Sequence, residues 1–106
     1  MILNHINQVD TIGIDNENGK VILSIIDELN WQDEKNHLQL LQAKINTYLR
    51  FIESDEIYSS YPDAKGRNFE IKIFFAYSIP EICISFLNTS LNIINESGFN
   101  LIWETI

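Results

Sequence analysis

The segment YSSYPDAKGR contains the side chains of this chain that are best suited to bind a charged ligand. Two phenols and two cations occur there within ten residues: Tyr58, Tyr61, Lys65 and Arg67. Lysine and arginine bind carboxylate and phosphate groups, and arginine does so through two parallel hydrogen bonds. One interpretation is therefore a small-ligand or enzymatic site, with an anion pocket lined by these four residues.

Two further interpretations of the same residues remain open. Tyrosine and arginine are favoured at protein interfaces because they combine a large contact area with directional hydrogen bonds. Alternatively, Tyr61 and Pro62 hold this connection against the core. The two cations would then pair with nearby acidic side chains, and the segment would have a structural role.

The other residues with catalytic or metal-binding potential form no recognisable constellation. His5 and His37 have no Cys or His at ligand spacing, so no metal site is predicted, and His37 is interpreted as a residue on the flank of a helix. Cys83 falls in an apolar helical arc, which favours a buried structural thiol over a nucleophile. Motifs for nucleotide binding, serine hydrolases and zinc proteases are absent. We therefore expect no catalytic residue and no cofactor.

Hydrophobic periodicity predicts the elements that must position these side chains. Alternating apolar residues indicate strands, and apolar residues three and four positions apart indicate helices. The predicted segments are a hairpin in 9–27, a helix in 31–52, a strand in 68–77, a helix in 78–97 and a strand in 99–106. The order β-β-α-β-α-β over residues 1–106 predicts a single two-layer α+β domain, with a four-stranded mixed sheet and two helices on one face.

Five polar or glycine positions are expected to mark the ends of these elements. Asn30 lies directly before the first helix and is expected to cap it, and Ser78 forms a capping box with Glu81 at the second. Gly98 is expected to end the second helix in the left-handed conformation, and Gly19 allows a positive φ in the hairpin turn.

The helix in 31–52 carries two apolar stripes. The main stripe is expected to face the core and consists of Leu38, Leu41, Ile45, Leu49 and Ile52. Leu40 and Phe51 lie about 120° from the centre of that stripe, on a side expected to face water. Either the connection in 53–67 covers them, or they are ordinary exposed residues, or they form a contact surface for another chain.

The predicted strands also carry apolar residues on the face opposite their main stripe. These residues are Ile22, Ile26, Phe74 and Ile102. A two-layer domain leaves one sheet face uncovered, and exposed apolar patches mark association sites because burial recovers ~25 cal/mol per Å². Cover would come from the first six residues, from the connection in 53–67 or from a second copy of the chain. The last possibility predicts a homodimer.

The charge of the chain limits its partners. It has 15 acidic and 7 basic residues, which gives a formal net charge of −8. This charge repels phosphate backbones and anionic membranes, so neither nucleic acid nor a membrane is expected as a partner, whereas a basic protein fits. No secretory signal is recognised, and the single cysteine forms no intramolecular disulfide, so we expect a cytoplasmic protein.

Three extended segments of the chain resemble a known family. They are GIDNENGKVILSIIDELNW, HLQLLQAKINTYLRFIES and YPDAKGR, and the resemblance spans residues 8–75. From Phe74 onward only the strand, helix, strand pattern is similar. The family consists of small bacterial proteins classed as a domain of unknown function. The resemblance implies a bacterial cytoplasmic protein and assigns no catalytic residue.

These observations favour a non-catalytic protein-interaction module that self-associates. The expected contact surfaces are the uncovered sheet face and a set of partner-binding residues: Leu40, Phe51, Tyr58, Tyr61, Lys65 and Arg67. A more specific hypothesis is an immunity-type inhibitor that covers a basic partner. The alternative hypothesis is a small-ligand-binding or enzymatic domain with the anion pocket near residues 58–67.

Overall fold

The computed structural model describes residues 6–106, and His5, whose role the sequence leaves open, lies outside them. The strands and helices are β1 (Thr11–Ile14), β2 (Val21–Asp27), α1 (Glu34–Glu53), α2 (Glu56–Ser60), β3 (Phe69–Phe75), α3 (Glu81–Glu96) and β4 (Asn100–Thr105). The predicted order is confirmed. The long connection adds the short helix α2 and one 3-10 turn, Pro62–Ala64.

The four strands form one sheet in the sequential order β1-β2-β3-β4. β1 and β2 pair antiparallel as a hairpin, whereas β2 with β3 and β3 with β4 pair parallel. Each parallel connection passes through a helix, and such crossovers are right-handed in nearly all proteins. Because both crossovers advance in the same direction across the sheet, both long helices lie on one face. The predicted two-layer α+β fold with a mixed sheet is therefore confirmed.

The two faces of the sheet differ in burial. Beneath the helices, most inward side chains of the parallel strands β2, β3 and β4 are buried: Val21, Leu23, Ile25, Phe69, Ile71, Ile73, Phe75 and Leu101. The intervening residues of β2 and β3 point to the other face and are mostly half-buried. The core therefore fills the space between the sheet and the helices.

The buried face of α1 differs from the predicted apolar stripe. Its buried residues are His37, Leu41, Lys44, Ile45, Tyr48 and Ile52, while Leu38 and Leu49 are only half-buried. The centre of the buried face is rotated by about 50° from the centre of the apolar stripe. Leu40 and Phe51 consequently lie at the edge of the buried face, where they are half-buried and pack against the core.

The start of α1 corrects one prediction. α1 begins at Glu34, and Asp33 caps it by accepting a hydrogen bond from the Asn36 amide at 3.2 Å. The Asn30 side chain instead accepts from the Gln32 amide at 3.2 Å. Asn30 is therefore not the helix cap, because its side-chain oxygen closes a local turn before the helix begins.

The ends of α3 correct one prediction and confirm another. α3 begins after Pro80, and no side chain caps its first turn. The predicted capping box at Ser78 is therefore wrong, because Ser78 lies too far before the first helical residue. Gly98 has a φ of 89° and follows α3, as predicted, and Gly19 has a φ of 72° in the hairpin turn.

A buried ion pair attaches the segment before β1 to α1. Lys44 is 0% exposed, and its Nζ lies 2.6 Å from Asp10 Oδ2 and 2.8 Å from the Gln8 carbonyl oxygen. The Tyr48 hydroxyl donates to the Ser24 carbonyl at 2.6 Å and accepts from the Asp10 amide at 3.1 Å. Burial raises the pKa of Tyr48 to about 12, so this hydroxyl keeps its proton at neutral pH. These contacts join α1, β2 and the chain before β1.

We expect Asp10→Ala to lower the free energy of unfolding by about 3 kcal/mol, because it leaves a buried ammonium without its carboxylate. The double variant Asp10→Ala/Lys44→Met should regain most of this loss, since an apolar side chain of similar length tolerates burial. Urea denaturation at pH 7 measures both values. As a control, Glu17→Ala removes an exposed carboxylate and should change the free energy by less than about 0.5 kcal/mol. An equally small effect of Asp10→Ala would contradict the assignment.

Candidate interaction surface

The sheet face opposite the helices is called the uncovered face, because no helix of residues 6–106 lies on it, and it is formed by alternate residues of all four strands. The strand register aligns them in three rows: Gly13, Ile22, Glu70 and Asn100, then Thr11, Ser24, Lys72 and Ile102, then Ile26, Phe74 and Glu104. The four apolar residues predicted for this face share it, and each is half-buried. Neither α1 nor α3 covers them, because both helices lie on the opposite face.

Two ion pairs balance part of the charge on the uncovered face. Lys20 Nζ lies 3.8 Å from Glu70 Oε1, and Lys72 Nζ lies 3.7 Å from Glu104 Oε1. Lys72 Nζ also lies 4.8 Å from the centre of the Phe74 ring, which is a cation–π distance. Two cations thus balance two carboxylates in a chain whose net charge is −8. Such partly exposed pairs add little stability, but they reduce the local negative potential that repels other acidic molecules.

Phe51 lies away from this face. It lines a groove of about 1080 Å³ between α1, α2 and residues 7–9. Apolar contacts in the groove come from Val9, Ile12 and Phe51, and charges come from Arg50, Glu53 and Glu56. Leu40 does not line the groove. The two residues of the predicted second stripe therefore do not form one exposed patch.

The four residues of the connection contact different parts of the fold. Tyr58 and Tyr61 are half-buried against the core, and the Tyr58 ring lies 6.2 Å from the Phe69 ring. Arg67 donates from Nε to the Asp63 carbonyl at 2.9 Å and from Nη1 to the Gly19 carbonyl at 3.0 Å.

Arg67 thus holds the hairpin turn through hydrogen bonds to backbone carbonyls. The structural interpretation had instead expected an ion pair with an acidic side chain. Lys65 is exposed. None of Tyr58, Tyr61, Lys65 and Arg67 lines the groove at Phe51. An anion pocket formed by all four side chains stays a prediction.

A buried acid–histidine pair joins the end of β2 to α1. Asp27 is 0% exposed and His37 is 2% exposed. His37 Nε2 lies 2.5 Å from Asp27 Oδ2, and His37 Nδ1 lies 3.0 Å from the Asn30 carbonyl oxygen. The Trp31 ring stacks on the imidazole, with ring centres 3.5 Å apart and planes 13° apart. His37 was interpreted as a residue on the flank of a helix, and the structure places it on the buried face of α1 instead.

The hydrogen bonds determine how the pair carries its proton. A carbonyl only accepts hydrogen bonds, so His37 Nδ1 must carry a hydrogen toward Asn30. A second proton then lies between His37 Nε2 and Asp27 Oδ2. Burial raises the pKa of Asp27, while the hydrogen bond and charge of His37 lower it. A neutral pair that shares this proton avoids the cost of an isolated buried charge.

One signal in the sequence pointed to this pair. The alternation Val21, Leu23, Ile25 continues to position 27, so the strand register directs the Asp27 carboxyl group toward the core. A carboxyl group in that position requires a buried hydrogen-bonding partner. His37 lies on the same side of α1 as Leu41, which identifies it as the available partner.

We expect His37→Leu to make the unfolding free energy fall as pH rises above about 4. In this variant Asp27 loses the hydrogen bond and charge of His37 that lower its pKa and keeps only the hydrogen bond from the Leu29 amide, so burial raises that pKa further above 3.8. The folded state then binds more protons than the unfolded state, so stability is greatest below pH 3.8 and declines until the folded pKa is passed.

Urea titrations between pH 4 and 8 measure this slope. The control is Asp27→Asn/His37→Leu, in which the ionisable carboxyl group is absent and the extra slope should disappear. Equal slopes for the single and double variants would contradict the buried pairing of Asp27 with His37.

The remaining candidates for chemistry in the described part of the chain are a cysteine nucleophile and a metal-binding cluster. Cys83 is 0% exposed, and burial raises its pKa to about 12, so it is an inert structural thiol. Within residues 6–106, no group of three or more His, Cys, Asp or Glu side chains is placed to hold a metal ion. In the same range, no helix is long and apolar enough to cross a membrane.

These features define a two-layer α+β protein in which no helix of the described residues covers one face of the sheet. The chain belongs to a family of unknown function, DUF6572, whose sequence profile matches residues 1–106. Membership confirms the family resemblance of the three segments and extends it to the whole chain. Comparison with curated proteins and with solved structures finds no match.

Proposed function

We propose that this protein is a non-catalytic protein-interaction module that self-associates through the uncovered face of its sheet. The observation that carries this proposal is a sheet face that no described helix covers and that carries four apolar side chains in an acidic chain. Ile22, Ile26, Phe74 and Ile102 lose contact with water when this face is covered, which favours association by ~25 cal/mol per Å² of apolar surface.

Electrostatics favours this face over the rest of the surface for contact between two copies. Two molecules that each carry a net charge of −8 repel one another over most orientations. The pairs Lys20 with Glu70 and Lys72 with Glu104 balance two of the carboxylates on the uncovered face, which leaves Asp15. Association through this face therefore brings apolar surfaces together with less repulsion than contact through the strongly acidic remainder of the surface.

The acidic remainder of the surface supports a second type of contact. A basic protein would be attracted to it, and the module would then act as an immunity-type inhibitor that covers its partner. The proposed location is a bacterial cytoplasm, where the unpaired Cys83 stays reduced.

We expect Ile26→Lys to dissociate the self-associated protein, because the new charge lies within the apolar part of the face. Sedimentation velocity from micromolar to millimolar concentration measures the change. Ile93→Lys on α3 is the matched control, because Ile93 is 56% exposed but lies outside this face, and it should leave association unchanged. Parent protein that remains monomeric throughout, or dissociation by Ile93→Lys alone, would contradict the proposal.

The groove at Phe51 supports a second candidate function, the binding of a small ligand. Its volume of about 1080 Å³ is ample for a small molecule, and Arg50 supplies a cation beside the apolar lining. The Arg50 side chain is held at this position by a hydrogen bond from Nη2 to Thr47 Oγ1 at 3.2 Å. A ligand that combines an aromatic ring with a carboxylate matches these features.

Benzoate is a suitable probe for this second function. We expect millimolar benzoate to shift the amide NMR signals of Thr47 and Phe51, because its ring contacts Phe51 and its carboxylate pairs with Arg50. Arg50→Gln should abolish these shifts, whereas Lys65→Gln, which removes a cation outside the groove, should not. Shifts that are absent, or that are unaffected by Arg50→Gln, would exclude this mode of binding.

A further inference from the structure

The outer edge of β4 presents backbone groups that no strand of residues 6–106 pairs with. β4 ends the sheet and pairs with β3 on its inner side. The Ile106 amide donates to the Phe75 carbonyl at 2.9 Å, and backbone groups of successive strand residues point to opposite edges. The N–H and C=O groups of Leu101, Trp103 and Thr105 therefore point away from β3, where an added strand could bond to them.

β4 lacks the features that protect edge strands against further pairing. Such strands are protected by proline, by lysine or by a bulge that twists the edge away. The sequence of β4, NLIWET, contains neither proline nor lysine. Its register with β3 is unbroken from Asn100 to Thr105, so it contains no bulge. The opposite edge strand, β1, has only four residues. The longer, regular edge of β4 is therefore the better one to accept a strand.

The outer flank of α3 gives this edge an apolar wall. Both long helices connect parallel strands, so they run in the same direction over the sheet. Thr47 marks the flank of α1 that faces β1, because it lines the same groove as Ile12, and it lies about 110° before the centre of the buried face.

The corresponding comparison on α3 identifies its outer flank. Ile84 and Leu91 lie about 60–80° after the centre of the buried face of α3, so they face away from β1, toward the outer edge of β4. Ile84 is 41% exposed and Leu91 is half-buried. Alternate side chains of a strand added beside β4 would pack against both.

The charge around this edge is exclusively acidic. Residues 73–106 contain three carboxylates, Glu81, Glu96 and Glu104, and no lysine, arginine or histidine. Glu104 lies on β4, and its side chain is 51% exposed despite the ion pair with Lys72, so a second cation can reach it. Basic side chains therefore complement this edge, whereas acidic ones are repelled.

The first five residues of this chain are too short to supply the added strand. Fully extended, residues 1–5 span at most about 18 Å. They join Ile6, whose carbonyl accepts a hydrogen bond from Thr47 on the flank of α1 that faces β1. A strand beside β4 lies four strand spacings, about 19 Å, from β1, and α1 and α3 stand between that position and Ile6. The strand must therefore come from another molecule.

We infer that the outer edge of β4 binds an extended segment of a partner protein, in which apolar side chains that pack on α3 alternate with basic side chains. Strand addition of this kind takes its affinity from main-chain hydrogen bonds and its specificity from alternate side chains. The inference rests on the proposed role as a protein-interaction module, and it specifies how a basic partner would bind. It uses an edge of the sheet, whereas the proposed self-association uses the uncovered face.

A ten-residue peptide of alternating valine and lysine, blocked at both ends, is the probe. We expect the full chain to bind it in calorimetric titrations at pH 7. Thr105→Pro should raise the dissociation constant at least tenfold, because proline removes an outward N–H and leaves the pairing with β3 intact. Thr105→Val keeps that N–H and should bind as the parent does. Urea denaturation should show that both variants fold as stably as the parent.

Amide hydrogen exchange locates the bound peptide without any substitution. In the free protein, the amides of Leu101, Trp103 and Thr105 should exchange faster than those of Ile102 and Glu104, which point toward β3. The valine–lysine peptide should slow the exchange of the first three amides at least tenfold. A peptide with glutamate in place of lysine should neither bind nor slow them, because its charge matches that of the edge.

The outcomes separate this inference from the proposed self-association, which is tested with Ile26→Lys. No binding at millimolar peptide, equal binding by Thr105→Pro and Thr105→Val, or no protection of the three amides would overturn the inference alone. Equal binding of the glutamate peptide would overturn the basic chemistry of the partner. If Thr105→Pro instead dissociates a self-associated parent, the edge joins two copies, and both proposals are overturned. A monomeric parent that binds the peptide as expected would support the inference and contradict self-association.

Discussion

Two crossovers in the same direction across the sheet are the constraint on which the rest of the structure depends. Right-handed connections from β2 to β3 and from β3 to β4 require α1 and α3 to lie on one face. Residues 6–106 contain no further long helix that could cover the second face. The apolar residues Ile26 and Phe74 on that face are a direct consequence of topology rather than of an imperfectly buried core.

Buried polar contacts set how α1 sits on the sheet. The pair Asp27 with His37 holds the first turns of the helix to the end of β2, and Lys44 with Asp10 holds its middle to the chain before β1. Because these polar residues must reach their partners, the helix turns them inward and moves Leu49 to the edge of the core. Hydrogen bonds and ion pairs therefore determine how α1 is rotated about its axis, and the apolar side chains pack in the space that this rotation leaves.

The uncovered face combines features that favour contact with an uncharged or self-complementary surface. Its ion pairs cancel, whereas the whole chain carries a net charge of −8. By contrast, Tyr58 and Arg67, which were expected at a partner surface, contact Phe69 and backbone carbonyls of the same chain.

The sequence by itself determined the order of elements, the mixed two-layer sheet and the apolar residues of its uncovered face. These follow from local periodicity, because alternation along β2 and β3 separates two faces whatever the strands pair with. Only the tertiary structure decided the sequential strand order, the rotation of α1 and the partners of His37 and Arg67. Those features depend on which polar groups meet across distant segments, such as Lys44 with Asp10, and periodicity along the chain records no such pairing.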